Sequence, residues 1–122
     1  MSEQITIEGK MCNLVPVEEQ GRIFICEIDG KKYYLGPEAK EKMAWEGAKE
    51  WAKSVGGQLM PREVGVLAFK KTEIRKHFQT DDWYWLEDEY RSSYGWCHCF
   101  STGHQHCYGK PIAFFARAVF VE

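Results

Sequence analysis

An α+β domain is the fold this sequence predicts, and three observations predict it. A two-residue Asp29-Gly30 turn separates two alternating apolar runs, a stretch of period-3.6 apolar spacing follows, and the second half is aromatic, Gly-punctuated and alternating. In that order they give N-terminal strands over residues 1–36, two amphipathic helices over 37–78 and an antiparallel β-meander over 79–122, with helices packed on antiparallel strands. All of it belongs to one domain: 122 residues at 14.2 kDa, 44% of them hydrophobic, fill a single core and do not divide comfortably into two.

Ile5, Ile7, Leu14, Val15 and Val17 point to one or two strands in residues 1–21, set beside the C-terminal run. Across Asp29-Gly30, a type I′ turn pairs Ile28 with Lys31, Glu27 with Lys32, Cys26 with Tyr33 and Phe24 with Leu35. Phe24, Cys26, Ile28, Tyr33 and Leu35 then share the core face. From Pro37, a good first helical residue, Ala44, Ala48, Trp51, Ala52 and Val55 recur at helical spacing until Gly56-Gly57 ends the helix. After Pro61, the residues Val64, Leu67, Ala68, Ile74 and Phe78 mark a second helix. Lys70, Lys71, Arg75 and Lys76 at its end favour the helix dipole and solubility. The acidic clusters Asp81-Asp82 and Glu87-Asp88-Glu89 flank an aromatic strand whose Trp83 and Trp85 share one side, and they read as its solvated borders.

A net charge of −2 sets up no positive field for a phosphate backbone, so nucleic acid is not an expected partner. The opening MSEQITIEGK has no apolar core of a signal peptide, and no later run is long enough to span a membrane. Synthesis and residence in a cytoplasm, with no membrane partner, are the expectation. Five cysteines (Cys12, Cys26, Cys97, Cys99, Cys107) in a chain with a sufficient core argue for mostly reduced thiols.

Cys97-His98-Cys99 and His104-x-His106-Cys107 put six soft or borderline ligands within eleven residues and invite a zinc reading. Two hairpin registers bear on it. If Ser101-Thr102-Gly103 is a three-residue loop, His98 faces His106 and Cys97 faces Cys107, within reach of a cross-strand disulfide. Trp96, His98, Phe100, His104, His106 and Tyr108 then take one face, and the cysteines the other. If Thr102-Gly103 is a two-residue turn, His98 faces Cys107 and Cys99 faces His106, again with two ligands per face. Neither register gathers the four ligands a structural zinc wants, so Cys97, Cys99, His104, His106 and Cys107 stay weak metal candidates and no cofactor is expected. No nucleophile elbow, phosphate loop, zincin helix or dinucleotide fingerprint occurs, and an enzyme is not expected.

The stretch from Ala44 to Val121 resembles the Lcl C-terminal-domain-like branch of the C-type lectin fold. The resemblance lies in Trp45, Ala48 and Trp51 before Gly56-Gly57, in Leu59 and Pro61, in Tyr84-Trp85 followed by Tyr90, and in Gly95-Trp96, Phe100 and Gly103 ahead of Arg117-Ala118-Val119. It implies a C-type-lectin-like fold of phage or prophage type. The calcium-and-sugar triplets of calcium-dependent lectins are absent, so that activity is not implied. In retroelement-diversified relatives of the fold the variable positions fall in the corresponding C-terminal strands, and such diversification is one origin the resemblance implies for this face.

Tyr90, Arg91, Ser92, Ser93, Tyr94, His98, His104, Gln105, His106 and Tyr108 have the composition binding surfaces favour: rigid aromatic area with hydrogen-bonding groups at low rotamer entropy. The expected function is a non-enzymatic recognition module that binds a protein or a glycan through Tyr90, Arg91, Tyr94, His98, His104, His106 and Tyr108. An intracellular phage inhibitor of a host defence protein, a metal or thiol site on the Cys/His hairpin, and a self-associating structural protomer are the alternatives.

Overall fold

The computed structural model describes residues 22–122, so the expected strands of residues 1–21 lie outside the described residues. Strands β1 (Ile23–Ile28) and β2 (Lys31–Glu38) form the expected hairpin, with Asp29 and Gly30 both at positive φ, 51° and 81°. Three of the four expected pairs hold: Ile28 with Lys31, Glu27 with Lys32 and Cys26 with Tyr33. The fourth is corrected, because Ile25 and Cys26 together oppose Tyr33, a bulge that pairs Phe24 with Tyr34 and Ile23 with Leu35. Ile25 thereby joins the core in place of Phe24, whose ring meets Tyr34 edge-on at 5.6 Å. Lys71 donates its ammonium to the Ile25 carbonyl, so this cation braces the bulge and does more than decorate a helix end.

Pro37 does not begin a helix. It lies in β2, which continues to Glu38 because β7 (Arg117–Val121) runs antiparallel beside it, and the register slips between Leu35 and Glu38 where proline offers no N–H. The backbone approaches so closely there that a Cβ on Gly36 would lie 2.7 Å from the Ala118 carbonyl oxygen. Helix α1 (Trp45–Ser54) starts only after Ala39 and Met43 have bonded to Ala116 and Phe114. It ends as the Gly-Gly pair predicts: Gly56 at φ 88° donates to the Lys53 carbonyl and Gly57 to that of Ala52, the two bonds of a Schellman cap. After the two-residue β3 (Gln58–Leu59), the expected second helix is two helices, α2 (Arg62–Lys70) and α3 (Thr72–Arg75). Lys71 breaks them at φ −93° and ψ 109°, yet Ile74 and Phe78 beyond it still reach the same core as Val64 and Ala68.

The remaining strands are β4 (Trp83–Arg91), β5 (Tyr94–Cys99) and β6 (Gln105–Gly109). They form an antiparallel sheet in the order β4-β5-β6, and the other strands form a second sheet in the order β1-β2-β7-β3. Phe115 joins the two sheets, taking the Trp85 N–H on its carbonyl and giving its own N–H to Trp83. Each face of the β4-β5-β6 sheet meets its own core. Tyr84, Leu86 and Phe100 pack with α2 and the hairpin, whereas Trp85 and Cys97 pack with α1 and Phe114. The fold class is thus α+β with antiparallel sheets, as the sequence predicts.

Gly95 admits Trp45, whose indole donates to the Leu86 carbonyl at 2.9 Å; a Cβ on Gly95 would fall 2.6 Å from Trp45 Cδ1. Gly95→Ala is expected to lower stability by about 1–3 kcal/mol, the usual cost of overpacking a core. Urea denaturation checks this, and an unshifted midpoint would contradict the packing.

Candidate functional site

The β5–β6 register differs from both expectations, and a buried phenylalanine is the reason. Phe100 leaves the strand to stack on Phe78 at a centroid distance of 3.9 Å and meets Tyr84 at 5.4 Å. The connection therefore has four residues, 100–103, closed by the Gly103 N–H on the Cys99 carbonyl at 2.8 Å. Gly103 sits at φ 83°, with the Phe69 ring where a Cβ would go. The resulting pairs are Trp96 with Cys107, Cys97 with His106 and His98 with Gln105.

This register redistributes the predicted site. Trp96, His98, Gln105 and Cys107 face α2, and Cys97, Cys99, His104, His106 and Tyr108 face the other way. His98 is corrected most: it is 0% exposed and presents nothing to a ligand. Its Nδ1 lies 3.0 Å from Gln105 Nε2, which also donates to the Arg62 carbonyl at 2.9 Å, while Arg62 Nε returns a bond to Gln105 Oε1. Gly65 of α2 leaves the space, since a Cβ there would stand 3.2 Å from His98 Nδ1. Because the Gln105 amide donates to Nδ1, the ring proton belongs on Nε2, which faces the Phe69 and Phe100 side of the core without a polar partner. Burial pushes the His98 pKa down to about 4.

On the opposite face Trp83 reaches from β4 over the small cysteines of β5 to β6. Its ring lies 5.4 Å from both His106 and Tyr108, and His104, His106 and Tyr108 follow one another at 6.3 Å. Tyr108 continues the row to the buried Phe114 at 5.6 Å. The row is thus anchored in the core at one end, with His104 and His106 exposed at the other.

No protein-family model and no curated protein matches this chain.

The separation of cysteines from histidines that the three-residue loop implied does not hold: Cys97, Cys99, His104 and His106 share a face, and Cys99 shares it with His106 as the two-residue turn had it. Among the described residues they still form no group of three or more ligands placed to hold a metal. The Cys97–Cys107 disulfide is corrected too: the two lie on opposite faces, both as free thiols. Burial pushes the Cys97 thiol up to about 12. Burial also raises Cys99, but bonds from the Ser101 and Thr102 groups outweigh it and hold this thiol below its usual value.

Tyr90, Arg91 and Tyr94 sit at the β4–β5 turn, where both tyrosines are 45% exposed. Tyr90 meets Trp96 edge-on at 5.6 Å, and the Arg62 guanidinium lies 3.6 Å over Trp96 from the α2 side. The predicted surface is therefore two patches, a tyrosine-arginine patch at the turn and a Trp83–His106–Tyr108 row on the open face. Sequence reasoning put Trp83 on one side of its strand with Trp85, without assigning it to the site, and did not find Arg62; neither stands in a motif, and only the register brings them to the site. Glu87, Asp88 and Glu89 are not simple solvated borders either. Glu87 and Asp88 accept the backbone N–H groups of Leu59 and Arg62, and Glu89 takes Lys110 at 2.6 Å.

A buried neutral histidine makes stability depend on pH. Its contribution is complete above the ordinary pKa of 6.5 and falls away as pH drops from there towards about 4, because the unfolded chain takes up a proton that the fold refuses. The loss amounts to at most about 3 kcal/mol. Relative to His98→Gln, the wild-type chain should lose more stability between neutral pH and pH 4; parallel curves for the two proteins would refute the assignment.

Proposed function

We propose that this protein is a non-enzymatic recognition module that binds a protein or glycan through the 90–108 face, on a C-type-lectin-like scaffold of phage or prophage type. The observation that carries the proposal is the open row Trp83, His106 and Tyr108, continued by His104. Its rings hold one another and are rooted on buried Phe114, so they offer contact area with little rotamer entropy left to lose on binding. Aromatic rings of this kind serve protein interfaces as anchors and present apolar faces against which a sugar can lie. Tyr90, Arg91 and Tyr94 supply a second, polar-aromatic element at the neighbouring turn. The lectin-like assignment is supported by two motif glycines that close packing requires, Gly57 beside the Val119 carbonyl and Gly95 beneath Trp45.

His106→Ala and Tyr108→Ala should each weaken binding by about tenfold or more, the scale of an interface anchor, with the melting temperature little changed in His106→Ala and lowered in Tyr108→Ala, which also loses the contact with Phe114. A glycan array and a crosslinking capture from host lysate, run side by side with wild type and both variants, measure this. Ligands retained equally by wild type and variants would place the binding site elsewhere.

A further inference from the structure

A sheet edge carries backbone groups with no partner, and a strand meant to stay solvated is usually blunted by charge, proline, a bulge or a cover. Three of the four edges here are blunted. β1 has the Ile25 bulge, the charge of Glu27 and Lys71 on the Ile25 carbonyl. β3 has two residues, and β4 is covered where Trp85 and Glu87 donate to the carbonyls of Phe115 and Met60. Among the described residues β6 has none of these devices: its five residues, QHCYG, hold one regular register against β5 and include no charge and no proline.

The alternation of an antiparallel ladder says which of its groups are free. The Cys99 N–H donates to the His104 carbonyl and the Lys110 N–H to that of Ser93, so His106 and Tyr108 also bond towards β5. The N–H and C=O groups of Gln105 and Cys107 and the N–H of Gly109 therefore point outward, and among the described residues none takes a backbone partner on that side.

We propose that β6 pairs with β6 of a second copy of this chain, antiparallel about a two-fold axis at Cys107, joining two three-stranded sheets into one of six. The charge pattern favours a second copy as the occupant. A two-fold contact sets the same surface against itself, and like charges directly opposite are destabilising; β6 brings no charge to the axis. Geometry fixes the register: among those that oppose outward-pointing residues, the one centred on Cys107 pairs all five residues, with Gln105 facing Gly109 of the second copy. It sets His106 beside the second copy's Tyr108, so the two aromatic rows become continuous. The pairing stands whether or not the face binds an external ligand.

Cys107 reports on the register directly. Facing residues of a bonded antiparallel pair have Cα atoms about 5.5 Å apart, inside the span of roughly 4.4–6.8 Å that a disulfide bridges. Diamide, which takes one hydrogen from each of two thiols and leaves a disulfide, should trap a covalent dimer of the full chain. The dimer should form in wild type and Cys99→Ser and be absent in Cys107→Ser. Light scattering after size exclusion should give a dimer for reduced wild type. Cys107→Pro, which removes only an outward N–H, and Cys107→Lys, which sets two cations at the axis, should each raise the dissociation constant about tenfold or more. Wild type that stays monomeric at high micromolar concentration, a dimer untouched by both variants, or a dimer trapped through a different cysteine would each overturn the proposal.

Discussion

The burial of Phe100 is the constraint on which the rest of the site depends. A residue that the alternation of the strand would continue into β5 instead turns into the core, stacked on Phe78 and 1% exposed. That single anchor lengthens the connection to four residues and sets the β5–β6 pairing. Because side chains alternate along a strand, a register differing by one residue moves a whole strand's side chains to the opposite face. The placement of every cysteine and histidine in the hairpin follows from one apolar side chain that carries no chemistry of its own.

The two faces that result are held by different forces. Towards α2 the sheet is sealed by a polar network in an apolar setting, with Gln105 joining His98 to Arg62 and Arg62 lying over Trp96. Such a network is worth most when fully satisfied, and His98 Nε2 is the atom it leaves unpaired. Away from α2 the outer part of the sheet is held by ring contacts, and the small cysteines of β5 let Trp83 reach β6 above them. One face is therefore specified by hydrogen-bond geometry and closed, the other by ring packing and open at its β6 end. The proposed recognition surface draws on that asymmetry, because rings rooted on buried Phe114 keep their positions without a partner to order them.

Local chemistry was legible in the sequence, and tertiary competition was not. The Asp29-Gly30 turn, the Gly56-Gly57 stop and the antiparallel aromatic strands could be read because each depends on a few neighbouring residues. Pro37 misled because β7, some eighty residues later, pairs across it, and helical spacing cannot report that. The Ile25 bulge and the break at Lys71 are linked by the Lys71–Ile25 bond, so neither shows in its own segment. For the site, Tyr90, Arg91, Tyr94, His104 and His106 lie at the surface as read, whereas Tyr108 is half-buried and His98 buried. Both registers weighed from the sequence assumed a loop chosen by turn residues, and core burial chose it instead.

The hairpin register is open to direct measurement by NMR. In the pairing described, Trp96 faces Cys107 and His98 faces Gln105 as non-bonded pairs, which bring Cα atoms to about 4.5 Å and their α-protons closer still. Strong α-proton cross-peaks between Trp96 and Cys107, and between His98 and Gln105, are the expected result. A strong α-proton cross-peak joining Cys107 to Cys97 would mean a register shifted by one residue, and with it the assignment of both faces would fall.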